Sequence, residues 1–370
     1  MLAIHRWAGL VLGLAMGFFS LTGLVLLFHH EIDALLGQAP AAASLEVARG
    51  APLADALAAA RRARPDRRPL FLSQDAEEHP GLVLVGMVPP GGRTPADAEF
   101  VVVELSRARV LDEVPVGETF TQTVLELHAQ LLAGPAGSFV VGLLGLALLL
   151  TLGTGVIAYG PTMKRLAFGV VRRGKHRRLA LVDLHRLVGV VSFGWLLVVT
   201  ATGVLLSAGG PLLKLFATTE LAALAAPYAG EAPVDDVSNV DEIVRRAEAA
   251  VPGRRWSILV LPGAELSSPR HFSALLEGTE GLEAHLLTFA LLDATDPDVV
   301  QVRQLPGYLQ AVLLSQPLHF GDYGGWPLRL LWALFALMSL ALAVTGPLAF
   351  LVGRRRRARR LPSAEAVAPS

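Results

Sequence analysis

The sequence predicts a membrane α-helical protein: a four-helix transmembrane bundle from an internal duplication, with two extracytoplasmic α+β domains. Three observations predict it. The 370 residues are 53% hydrophobic and 17% charged, with a mean hydropathy of +0.51, whereas a soluble domain is nearer a quarter charged. Four segments, 7–28, 139–158, 187–207 and 326–352, are apolar over the roughly 20 helical residues that cross a hydrocarbon layer of about 30 Å. The third observation is a repeat.

Shifted by 180 residues, the first span falls on the third: His5-Arg6 meets His185-Arg186, Gly9 meets Gly189, and Thr22-Gly23 meets Thr202-Gly203. Shifted by 191, the second falls on the fourth: Leu127-His128 meets Leu318-His319, Gly134 meets Gly325, and Thr154-Gly155 meets Thr345-Gly346. Each half therefore reads span, polar domain, span. That order is a parallel repeat, whose pseudo-twofold axis runs along the membrane normal.

Charge sets the orientation. The connection 161–183 holds seven basic residues against Asp183, and the tail after Gly353 holds six arginines against Glu365. Stretch 31–126 has fifteen acids and nine bases, and stretch 208–325 fifteen acids and seven bases. By the positive-inside bias, both termini and the short connection are cytoplasmic and the long stretches extracytoplasmic. The chain then divides as helix 1 (1–30), outer domain 1 (31–126), interfacial segment and helix 2 (127–160), basic loop (161–183), helix 3 (184–207), outer domain 2 (208–318), interfacial segment and helix 4 (319–353), and basic tail (354–370). Ala39-Pro40-Ala41 resembles a cleavage site, but the apolar run before it is too long for a signal peptide and has a repeat partner. It is expected to be a retained helix.

In the outer domains, 52–64 has an amphipathic helical pattern, followed by strand candidates 82–85 and 100–103. The second domain repeats the order with a helix over 240–250 and strands near 256–260, 272–276, 286–291 and 299–302.

The absence of cysteine excludes disulfides, thiolate metal sites and cysteine nucleophiles. No paired-acid, HExxH, Walker or GxGxxG pattern occurs, and basic residues cluster only beside the membrane, where they attract anionic lipid. Nucleic-acid binding is unsupported. Ionisable residues at membrane depth mark function, and the repeat selects four of the ten histidines: His5 and His185 at the cytoplasmic starts of spans one and three, His128 and His319 outside spans two and four. Two repeat-related histidines facing one axis can supply both axial ligands of a metal centre such as haem iron. His29 and His30, at the outer end of span one, are also within reach of an outer centre but have no histidine counterpart. His79, His176, His271 and His285 suit solvated or locally bonded roles. Gly9, Gly13 and Gly17 form a stripe above His5, open to two readings: close helix packing, or a flat slot for a planar macrocycle. Arg6 and Arg186 suit haem propionates or plain anchoring at the interface.

The segments "HRWAGLVLGLAMGFFSLTGLVLLFHHEID", "LHAQLLAGPAGSFVVGLLGLALLLTLGTGV", "DLHRLVGVVSFGWLLVVTATGVLLS" and "LHFGDYGGWPLRLLWALFALMSLALAVTG" closely resemble the PepSY-associated transmembrane proteins. The resemblance covers nearly the whole chain, and the outer modules look like PepSY domains. It implies two b-type haems, with His5, His185, His128 and His319 as axial ligands, in a bacterial inner-membrane reductase of ferric siderophore iron. Electrons would come from an unidentified cytoplasmic donor, and no residue need act as acid or base. Two alternatives stand: a non-enzymatic PepSY module binding peptide or protein, and a quinol-linked dihaem oxidoreductase with another acceptor.

Overall fold

The computed structural model describes residues 2–38, 52–74, 80–111, 119–163, 168–172, 176–228, 230–279, 286–298 and 300–358. The triplet 39–41, His79 and His285 lie outside the described residues. Helices in chain order are α1 (Leu2–Leu26), α2 (His29–Leu35), α3 (Leu53–Ala63), α4 (Phe120–Gln130), α5 (Gly134–Met163), α6 (Arg177–Ser207), α7 (Gly209–Phe216), α8 (Ala222–Ala225), α9 (Val240–Ala250), α10 (Gly307–Phe320) and α11 (Gly325–Ala358). Strands are β1 (Arg68–Ser73), β2 (Leu82–Val88), β3 (Glu99–Glu104), β4 (Arg109–Val110), β5 (Arg255–Val260), β6 (His271–Glu277), β7 (Thr288–Asp293) and β8 (Val300–Gln304). The chain forms two compact units: one of Met1–His29, Val124–Ala208 and Leu318–Ser370, the other of His30–Thr123 and Gly209–Pro317.

The first unit is helical. Four of its helices, α1, α5, α6 and α11, contain segments of 22, 28, 31 and 30 residues long and apolar enough to cross a membrane. Each packs on two others: α1 on α5 and α11, α6 on α5 and α11. Apolar side chains cover their outer faces, as Leu14, Phe139, Leu150 and Leu334 show. Small hydroxyls lie inside, each satisfied on its own helix: Ser192 and Ser339 are fully buried and donate to Val188 O and Phe335 O. A hydroxyl that bonds the carbonyl one turn back fills an apolar interface without leaving an unpaired donor.

The helices are longer than the apolar runs alone suggest. Helix α6 starts at Arg177, inside the predicted basic loop, and includes Asp183, which is buried. Arg172 makes that burial tolerable: its Nε and Nη2 each donate to the Asp183 carboxylate at 2.8 Å, and its backbone N–H adds a third bond. A bidentate guanidinium offsets the desolvation that an isolated buried carboxylate would suffer.

Two tight turns feed the spans. After α4 the backbone turns through Leu131 and Leu132, both left-handed, and Gly134 (φ 57°). A Cβ on Gly137 would lie 1.6 Å from Gln130 O, so only glycine allows this reversal. Between α10 and α11 the left-handed Gly321 (φ 72°) sits under the Trp332 ring, 2.6 Å from where a Cβ would be.

The second unit differs from the two separate modules the sequence suggests. Its strands form one antiparallel eight-stranded sheet in the order β4-β3-β2-β1-β5-β6-β7-β8. The join is β1 on β5, pairing Phe71 with Val260, Leu72 with Leu259 and Ser73 with Ile258. Helices α3 and α9 share one apolar core with the strands of both halves, including Leu57, Leu72, Val85, Ile243, Leu259 and Phe272. Sharing is what makes the halves viable, since a four-stranded sheet with one eleven-residue helix buries little apolar surface alone.

The halves correspond closely. Leu53 and Val240 open helices of eleven residues each and stand 187 positions apart, as do Arg68 and Arg255 at the starts of β1 and β5. The β1–β2 pairing is bulged between Pro69 and Phe71, the β5–β6 pairing between Trp256 and Ile258, again 187 apart. Leu72 and Leu259, at the centre of the join, are themselves related by that offset. Strand β1 is absent from the sequence reading because its run RPLFLS begins with Arg and Pro and shows little alternation.

Candidate functional site

Each of the four selected histidines in the helical unit meets a Thr-Gly pair on another helix. His5 Nδ1 lies 3.2 Å from Thr154 Oγ1 and 3.2 Å from Thr151 O. His128 Nδ1 lies 2.7 Å from Thr22 Oγ1, and His185 Nδ1 lies 3.0 Å from Thr345 Oγ1. His319 Nδ1 lies 3.2 Å from Thr202 Oγ1 and 2.9 Å from Val199 O. The glycine following each threonine faces the ring: a Cβ on Gly155, Gly23, Gly346 or Gly203 would come 3.1, 3.4, 3.2 or 3.0 Å from the Cε1 of His5, His128, His185 or His319.

Proton accounting sets the tautomer at two of the four rings. Every one of these threonines donates its own hydroxyl proton to its helix: Thr22 to Phe18 O, Thr154 to Thr151 O, Thr202 to Val198 O and Thr345 to Ala341 O. Carbonyl oxygens accept only. At His5 and His319, where a backbone carbonyl also faces Nδ1, that nitrogen carries the hydrogen and the lone pair lies on Nε2. A ligating imidazole is commonly oriented this way, by a hydrogen bond from the nitrogen that does not bind metal.

The His128 and His319 rings stand 6.2 Å apart between centroids at an interplanar angle of 71°. Two in-line imidazole–metal bonds of about 2 Å, with about 1 Å from each nitrogen to its ring centre, separate centroids by about 6 Å. The centroid spacing of the pair is close to that value. Crowding by protein pushes both imidazoles down to about 4, with the neighbouring ring adding to the effect at His128 and the Val199 carbonyl opposing it at His319. Both are neutral at physiological pH, as ligation needs. Among the described residues no cluster of three or more His, Asp or Glu side chains could hold a metal ion.

The remaining sequence candidates are placed as follows. His29 opens α2 beside His30 and donates from Nδ1 to Leu26 O at 2.8 Å. Arg6 is exposed on α1. Arg186 Nη1 is 3.7 Å from Asp183 Oδ1, sharing the carboxylate that Arg172 holds. The glycine stripe divides: Gly13 and Gly17 pack on α11 at Pro347 and Ala343, while Gly9, one turn from His5, has no atom within 4 Å of a Cβ position. His271 is buried in the sheet unit and bonded locally, its Nδ1 2.6 Å from Ser268 Oγ. The four threonines were visible as repeat markers without a role; their recurrence beside glycine at the same offsets as the histidines is the signal that selects them.

A bundle of four membrane-spanning helices, an antiparallel sheet and this set of histidines define a class of membrane protein. Residues 2–352 match the PepSY-associated TM region family, and the chain belongs to it. It is also 30% identical over 217 residues to the uncharacterized protein PA4219 of Pseudomonas aeruginosa, an alignment covering 54% of each chain. The chain thus spans about half the length of the curated relative it matches.

Proposed function

We propose that this chain is a duplicated dihaem protein of the bacterial inner membrane, with both termini cytoplasmic, that reduces ferric iron of a siderophore or other ferric chelate on the periplasmic side. The observation that carries the reading is the fourfold His–Thr–Gly arrangement, with its 6.2 Å His128–His319 pair. His128 and His319 would hold one b-type haem, His5 and His185 the other, with Arg6 and Arg186 at the propionates. Haem bound there supplies a one-electron ferric/ferrous couple.

The chain's own residues do the rest. Thr22, Thr154, Thr202 and Thr345 hold Nδ1 and aim Nε2; the adjacent glycines let the imidazoles lie close to the facing helix. The apolar core around Met16, Leu196 and Leu342 excludes water between the two membrane faces. Lowering the charge on iron weakens hard oxygen-donor chelation, so no proton donor is required at the substrate.

Thr22→Val keeps the shape of the side chain and removes the oxygen that faces His128 Nδ1. It is expected to weaken haem retention at the outer pair by 10- to 100-fold, measured as haem transfer to excess apomyoglobin. Retention equal to wild type would separate the threonine from ligand orientation. The orientation is read from a periplasm-active reporter enzyme fused after Arg178, which is expected to be silent; activity would reverse the topology. Catalysis is tested on dithionite-reduced protein, whose haem spectrum is expected to reoxidise when a ferric hydroxamate is added, faster than with a triply anionic catecholate because the outer stretches are net acidic. No reoxidation by any ferric chelate would contradict the reductase reading.

A further inference from the structure

The sheet unit contains a cavity of about 510 Å³ lined by elements of both its halves. Arg68, at the start of β1, and Arg93, in the turn after β2, enter it together with Glu231, Asp235 and Glu265. Ala217, Leu221 and Ala222 make an apolar wall, built on a π-helical turn, Ala217–Leu221, that joins α7 to α8. Such turns are rare and recur at functional sites. Each guanidinium is anchored through one nitrogen: Arg68 Nη2 donates to Gly92 O at 2.7 Å and Arg93 Nε to Gly263 O at 3.0 Å. The anchors fix the two cations near each other and leave further N–H donors on both.

Two like charges held side by side repel, and an anion between them relieves the repulsion. Burial and the nearness of Arg93 lower the Arg68 pKa from its ordinary value, and Asp235 opposes them. Three carboxylates in the same lining oppose a ligand of high negative charge. The alanine wall suits an apolar body.

We propose that this cavity is the ligand site of the sheet unit, and that it takes a small molecule of low net charge with one carboxylate, seated on Arg68 and Arg93, and an apolar body against the Ala217–Ala222 wall. The site gives the proposed reductase a place to select its chelate, and it rests on that reading only for the choice of probe. The cavity refines the expectation from net charge: the acidic surroundings disfavour polyanions, while the arginine pair accepts a single carboxylate.

The test is calorimetric titration of the full-length protein in detergent with two redox-inert gallium chelates. One is a trihydroxamate carrying a single carboxylate remote from the metal, the other the same trihydroxamate with that carboxylate amidated. The carboxylate-bearing chelate is expected to bind at least tenfold more tightly. Arg68→Gln and Arg93→Gln should each remove that preference, Arg93→Lys should keep part of it, and Ala222→Trp should abolish binding of both. Unchanged circular dichroism and protease resistance in the variants exclude misfolding as the cause. Equal affinities, an unaffected preference in both glutamine variants, or no binding of either chelate would overturn the assignment. Gallium is not reduced, so these outcomes are independent of the reoxidation experiment, and the failure of one reading is distinguishable from the failure of the other.

Discussion

Replacing His319 with alanine is expected to halve the haem content of the purified protein, from two haems per chain to one, while the bundle stays folded. The ring is one half of the 6.2 Å pair with His128 and is held by Thr202 and the Val199 carbonyl. On the proposed ligation, removing it would delete one axial bond and leave His128 without its partner ligand. A single remaining imidazole holds haem far less well and gives a high-spin, five-coordinate spectrum where any is retained. His5→Ala and His185→Ala should each remove the other haem and leave the first intact. The measurement is pyridine-haemochrome absorbance per mole of chain, with low-temperature electron paramagnetic resonance to separate low-spin from high-spin iron. If all four single histidine variants keep a full complement of low-spin haem, the ligand assignment is wrong.

The second large effect concerns the sheet. Leu72 and Leu259 are fully buried and meet at the centre of the β1–β5 join, with the core helices packed over them. An aspartate at either position buries an uncompensated carboxylate, at a cost of about 3–5 kcal/mol on top of the lost packing. That is a large share of the 5–15 kcal/mol that typically holds a domain together. Leu259→Asp should therefore unfold the sheet unit, made visible as rapid trypsin cleavage between residues 209 and 317. Because both halves share one core, the segment 30–123 should become sensitive in the same variant. Leu259→Met, close in volume, is expected to cost less than about 1.5 kcal/mol and keep protease resistance. Cleavage confined to the second half would mean that the halves fold independently.

The sequence makes the spans legible because a hydrocarbon layer demands some 20 apolar residues in a row, a signal that no soluble element imitates. The helix ends are less visible. Asp183 and Arg177 read as loop because charge is expensive at membrane depth, and only the Arg172–Asp183 pairing, made in three dimensions, brings α6 to Arg177. The four histidines stand out through the repeat, yet the threonines do not, since a Thr on an apolar helix is common and its partner lies up to 160 residues away, as for His185 and Thr345. Strand β1 and the fusion of two modules into one sheet are non-local: an edge strand carries no mark of what will pair with it. The arginine pair of the cavity is likewise invisible in sequence, because Arg68 and Arg93 are brought together only by the β1–β2 hairpin and the Gly263 turn.

The most direct test of the proposed function is the haem stoichiometry of the wild-type protein, expressed with haem supplied and purified in mild detergent. Two b-type haems per chain, both low-spin with two histidine ligands, is the expected result. A colourless protein that folds, resists protease in both units and takes up no added haem would contradict it.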